Sequence, residues 1–147
     1  MHSPILAPVV ALVLWTLVVQ MWMYATRLPA MRRAGISLKG RRGGRPGLLD
    51  GVVEDKVQWK AHNYNHLMEQ PTLFYATALM LALMDFGGGL NLWLACAYVA
   101  LRVLHSLVQA TVNVILYRFL LFNLASLVLL ALAVHAALAL LFHHHHA

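Results

Sequence analysis

The sequence predicts an all-α fold: an integral membrane protein built as a four-helix transmembrane bundle, in a single domain spanning residues 1–147. Three observations carry this. Of the 147 residues, 61% are hydrophobic and only 11% charged, with a mean hydropathy of +0.70, whereas a soluble domain carries roughly a quarter charged residues. The apolar residues fall into long runs of the length that crosses a hydrocarbon core of about 30 Å. Finally, charge is local: nine of the eleven Lys and Arg residues lie between Arg27 and Lys60.

The first apolar run, about residues 5–25, is long enough for one crossing. No cation precedes it and no small-x-small cleavage pattern follows, so a retained helix is expected rather than a signal peptide. Trp15, Trp22 and Tyr24 suit packing and interface anchoring in such a span. Residues 27–59 form the only long connection, where Gly35, Gly40, Gly43, Gly44, Pro46, Gly47 and Gly51 oppose regular helix. A second span covers about 60–84, with Trp59 as an anchor at its mouth. Within it Pro71 removes a backbone donor and crowds the carbonyl of Leu67, predicting a kink. Asp85–Gly89 makes a tight turn, the third span covers about 90–109, and the fourth about 113–142. His143–His146 are left out of the site on the ground that such a run also arises as a purification tag.

Loop charge sets the orientation. Positive-inside places the 27–59 loop in the cytoplasm and both termini on the opposite side. A cationic run flanked by membrane spans suits a cytoplasmic loop beside anionic lipid and excludes nucleic acid as partner. The single cysteine, Cys96, rules out an intrachain disulfide and is expected to pack as a small core residue.

The polar residues inside the spans gather at one end. On a continuous second helix, His62, Asn65, His66 and Glu69 share a face, because residues three and four apart are neighbours. Arg102, His105 and Gln109 form a stripe near the end of the third helix, and Asn113, Tyr117 and Arg118 open the fourth. Antiparallel topology brings all three groups to the cytoplasmic side. An ionisable residue at such depth is costly and is kept where it is paired or lines a cavity. Two chemistries fit the set. Arg102 and Arg118 suit an anionic polar ligand, with Glu69 taking an ammonium group or orienting an arginine. Alternatively, His62, His66 and Glu69, with His105, supply metal-ligand types on one helical face, although the nearby arginines oppose a cation. The bland account is that the arginines snorkel and Glu69 is a structural ion-pair partner.

Glu69–Pro71 with the trailing Leu73-Phe74-Tyr75, the stretch Ala97-Tyr98-Val99-Ala100-Leu101-Arg102-Val103-Leu104-His105-Ser106, and Arg118 sixteen residues beyond Arg102 together resemble the membrane-associated proteins in eicosanoid and glutathione metabolism (MAPEG), in particular bacterial members. The resemblance implies a four-helix homotrimer in a bacterial inner membrane. It further implies glutathione as co-substrate, bound between subunits on the cytoplasmic side, and a lipophilic electrophile or peroxide arriving from the lipid. Carried over by position, Glu69 contacts glutathione, His105 is a contact from the third helix, and Arg118 stabilises the thiolate. The chain departs from the eicosanoid branch, which has Arg-x-x-x-Asn-x-x-Glu where His62, His66 and Glu69 stand, and a tyrosine where Gln109 stands. The implied activity is a glutathione transferase or peroxidase. A non-catalytic lipid-binding or scaffold trimer and a His62/His66/Glu69 metal protein are the alternatives.

Overall fold

The computed structural model describes residues 2–40, 42–44 and 47–143, the last by its backbone alone. Arg41, Arg45 and His144–His146 lie outside the described residues. Those that are described form five α-helices and no strand: α1 (Leu6–Arg33), α2 (Asp55–Met68), α3 (Pro71–Leu83), α4 (Gly89–Thr111) and α5 (Ile115–His143). α1, α4 and α5 are each long and apolar enough to cross a membrane.

The second predicted span is divided. α2 stops at Met68, Glu69 takes ψ −95°, and α3 restarts with Pro71 at its first turn. Proline is tolerated there because first-turn N–H groups have no helical partner in any case. The sequence predicts a kink at this point. The structure shows a full break, because Glu69 leaves helical geometry before the proline is reached.

α1 runs further than its apolar stretch, through Pro29 to Arg33. Gly35 ends it in left-handed conformation (φ +69°). There the N–H of Ile36 donates to the carbonyl of Met31 at 2.9 Å and that of Gly35 to Arg32 at 3.1 Å, the paired bonds of a Schellman cap. The connection beyond it is not loose. Leu49 and Val53 are buried against Ala30, Met31 and Val57, with Ile36 packed alongside, so the loop docks on α1 and α2.

The main core is a spine of small and branched side chains. α1 buries Leu12, Thr16, Val19 and Met23 on one stripe; α3 contributes Phe74, Ala78 and Leu81, α4 Ala95, Tyr98 and Val99, and α5 Ala125, Leu129, Leu132 and Ala136. In lipid, apolar side chains gain little by meeting each other rather than acyl chains. Close packing over small residues and interhelical hydrogen bonds therefore hold such helices together. Both occur: Tyr98 stacks on Phe74 at 4.5 Å, Gln70 Nε2 donates to Ser126 Oγ at 2.7 Å, and His135 Nδ1 lies 2.6 Å from Asn91 Oδ1. Cys96, expected in the core, is exposed. It sits one position past buried Ala95, where the helical period turns a side chain outward.

α1 ends, α2 begins, α4 ends and α5 begins at the same end of the bundle, which gathers the predicted polar residues there.

Candidate functional site

The site grows out of the break after α2. Interrupting a helix leaves its last carbonyls without intrahelical donors. In an unbroken helix the His66 carbonyl would accept from the N–H of Gln70; here Arg102 Nη2 donates to it at 2.7 Å. Arg102 on α4 is thus drawn wholly inside (0% exposed) by a cap on α2, a favourable place for a cation. Its Nε and Nη1 remain buried with no partner. The aromatic ring of Phe122 on α5 lies 5.8 Å from the guanidinium carbon and covers it.

His105 and Gln109, one and two turns further along α4, are buried with it. The His105 ring meets His66 edge-on at 5.9 Å and Phe122 at 6.2 Å. His105 Nδ1 and Gln109 Oε1 carry no hydrogen bond. His66 Nδ1 lies 3.4 Å from Glu69 Oε2, with Glu69 largely exposed (67%). Arg118, on the first turn of α5, donates from Nη1 to Asn113 Oδ1 at 2.8 Å while its Nε is buried without a partner. Asn113 holds this geometry by taking φ +52°, which asparagine tolerates better than other side chains. His66 lies within electrostatic reach of Glu69, Arg118, Arg102 and His62 together, so these groups share one neighbourhood.

The predicted residues therefore divide. Arg102, His105 and Gln109 are buried; His66, Asn113 and Arg118 are half-buried; His62, Asn65, Glu69 and Tyr117 face outward. Sequence reasoning overlooked the partner that positions α4. Asn63, fully buried, donates from Nδ2 to Ser106 Oγ at 2.7 Å, and Trp15 Nε1 on α1 donates to the same oxygen at 3.0 Å. This hub ties α1, α2 and α4 together one turn beyond Arg102. Its signal was present: Ser106 lies four residues from Arg102, on the same stripe.

Among the described residues no three His, Cys, Asp or Glu side chains are grouped to hold a metal ion. His62 turns outward, and His66 is taken up by Glu69 and the His105 ring. What remains are buried N–H-bearing nitrogens without partners on two guanidinium groups and an unpartnered amide oxygen, with the largely exposed Glu69 carboxylate in the same neighbourhood. Buried polar groups normally find partners, so this set marks the neighbourhood as the candidate site.

Fold and site together define an all-α integral membrane protein with cationic side chains recessed at one end of its bundle. Residues 5–138 match the model of the MAPEG family, and the chain belongs to that family, whose members are membrane-bound, glutathione-related transferases and peroxidases. Neither individually curated proteins nor solved structures give a significant match.

Proposed function

We propose that this protein is a glutathione-dependent transferase or peroxidase for lipophilic substrates, working as a homotrimer with the 27–59 loop in the cytoplasm and both termini on the other side of a bacterial inner membrane. The observation that carries the reading is the pair of guanidinium groups, Arg102 and Arg118, holding three unpaired buried N–H-bearing nitrogens beside an outward-facing Glu69. A carboxylate left on the flank of a membrane bundle calls for cover, which a neighbouring subunit and a bound peptide provide.

Bound glutathione supplies a nucleophilic sulfur. Arg118 then holds negative charge at that sulfur through its free Nε. A preorganised charge of this kind is worth about 3 kcal/mol, and a guanidinium beside a thiol pushes it below its ordinary range and favours the thiolate. Arg102 offers Nε and Nη1 to a carboxylate, Glu69 takes the ammonium, and His105 and Gln109 meet the peptide groups. His62, Asn65, His66, Asn113 and Tyr117 complete the wall, and Phe122 keeps water from the buried cations. The electrophile arrives through lipid along the apolar surface of α5.

Titration of the purified assembly with glutathione, read by thiolate absorbance, tests this. A saturable signal abolished in Arg118→Ala is expected; no signal, or one indifferent to that substitution, removes the mechanism. One observation favours the alternative of a non-catalytic lipid-binding or scaffold trimer: Arg102 already has a structural task at the His66 carbonyl. On that reading glutathione leaves thermal unfolding of the parent protein unmoved, while Glu69→Gln and Arg118→Ala lower its melting temperature.

A further inference from the structure

The docked loop forms a second polar surface, made of residues the glutathione site does not use. Beside the end of α1 lies an open groove of about 420 Å³ walled by Arg27 and Arg42 and floored by Met31, Ile36, Leu38 and Leu48. That volume is within the range of small-molecule sites, about 300–1,000 Å³. A neighbouring groove of about 320 Å³ shares Met31, Ile36 and Leu38 and is flanked by Arg32 and Lys39. One apolar ridge thus runs between two pairs of cations. Leu38 is 66% and Leu48 50% exposed, so the ridge presents apolar surface to whatever fills the groove.

No carboxylate among the described residues lies within ion-pair distance of these cations. Among the described residues the sole ion pair is His66 with Glu69, and the loop's first acid, Asp50, accepts a hydrogen bond from Gln58 Nε2 at 3.0 Å instead. Depth selects the occupant. At 1.5 Å per residue, Arg27 and Met31 lie roughly 5–10 Å past Tyr24, where the apolar run of α1 ends. The headgroup layer begins there and extends about 5–8 Å.

We propose that the Arg27–Arg42 groove is a binding site for an anionic phospholipid of the surrounding leaflet. The phosphate sits between the two guanidinium groups and the glycerol and upper acyl segments lie over Met31, Ile36, Leu38 and Leu48. Arginine's planar fork suits a phosphate, and the apolar floor distinguishes a lipid from a free anion. The site is independent of whether glutathione binds at Arg118.

Binding of a fluorescent phosphatidylglycerol analogue to the detergent-solubilised full-length chain tests the assignment, with a phosphatidylcholine analogue and inorganic phosphate alongside. Phosphatidylglycerol is expected to bind more tightly than phosphatidylcholine. Each cation at an anionic surface contributes about fivefold, so the Arg27→Gln, Arg42→Gln double variant loses about thirtyfold of that preference. Arg33→Gln, outside the groove, retains it. Leu38→Ser, Leu48→Ser weakens the lipid while leaving the cations in place. Equal affinity for the two lipids, or a preference that survives the double arginine variant, overturns the proposal. So does full competition by inorganic phosphate combined with indifference to the leucine changes, which would mark a site for a soluble anion. Circular dichroism on each variant verifies that helix content is kept.

Discussion

Replacing Ser106 by alanine removes one oxygen atom and leaves two donors without a partner, one on buried Asn63 and one on half-buried Trp15. Ser106 Oγ accepts from Trp15 Nε1 at 3.0 Å and from Asn63 Nδ2 at 2.7 Å, and the residue is 0% exposed. The change is nearly isosteric, so no cavity contributes to the cost. Interhelical hydrogen bonds within membranes average about 0.6 kcal/mol and reach about 1.7; two of them give an expected loss of about 1–3 kcal/mol. Reversible unfolding in non-ionic micelles titrated with dodecyl sulfate measures it. Because Trp15 and Ser106 share the bond, Trp15→Phe combined with Ser106→Ala should cost less than the sum of the single variants, by about 0.5 kcal/mol or more. The reasoning is refuted if Ser106→Ala matches the parent within about 0.3 kcal/mol, or if the two substitutions are strictly additive.

Two further substitutions probe the turns that frame the bundle. At Asn113 the left-handed backbone and the bond to Arg118 can be separated: alanine loses both, adding a backbone cost of about 1–2 kcal/mol, whereas glycine loses only the bond, so Asn113→Gly should melt above Asn113→Ala. At Gly87 an added Cβ would lie 2.7 Å from Ile5 Cγ2 and closer still to Ser3 Oγ, while at Gly88 it meets nothing within 4 Å. Gly87→Ala should therefore cost about 1–3 kcal/mol as overpacking and Gly88→Ala almost nothing, in the same unfolding assay.

Apolar run length made the helices that cross the membrane legible, because span length is set by bilayer thickness rather than by partners. Gly35 likewise announced the end of α1 region by its chemistry, although the helix outran the apolar stretch by following its own hydrogen bonds through Pro29 to Arg33. The site was legible as a neighbourhood and not as a geometry. Treating the second span as one helix put Asn65 on the inner face; the structure buries Asn63 and leaves Asn65 outside, since α2 turns Val57, Ala61 and Leu67 inward. The bond from Arg102 to the His66 carbonyl could not be read at all, for it depends on a backbone group that becomes free only because the helix stops. The loop's docking was equally hidden. Leu49 and Val53 look like isolated apolar residues in a glycine-rich connection until α1 and α2 bring Met31 and Val57 beneath them.

A chain entering the bilayer from its N-terminus presents α2 before α4 has been made. That helix carries Asp55, Lys56, Lys60, His62 and His66 in place of a continuous apolar run. α3, with 13 residues, reaches only about 20 Å. Neither half can settle among acyl chains by itself. Arg102 at the open carbonyl and Ser106 at Asn63 are what α4 supplies to the divided segment, so α2 and α3 are expected to be stable in the membrane only together with α4.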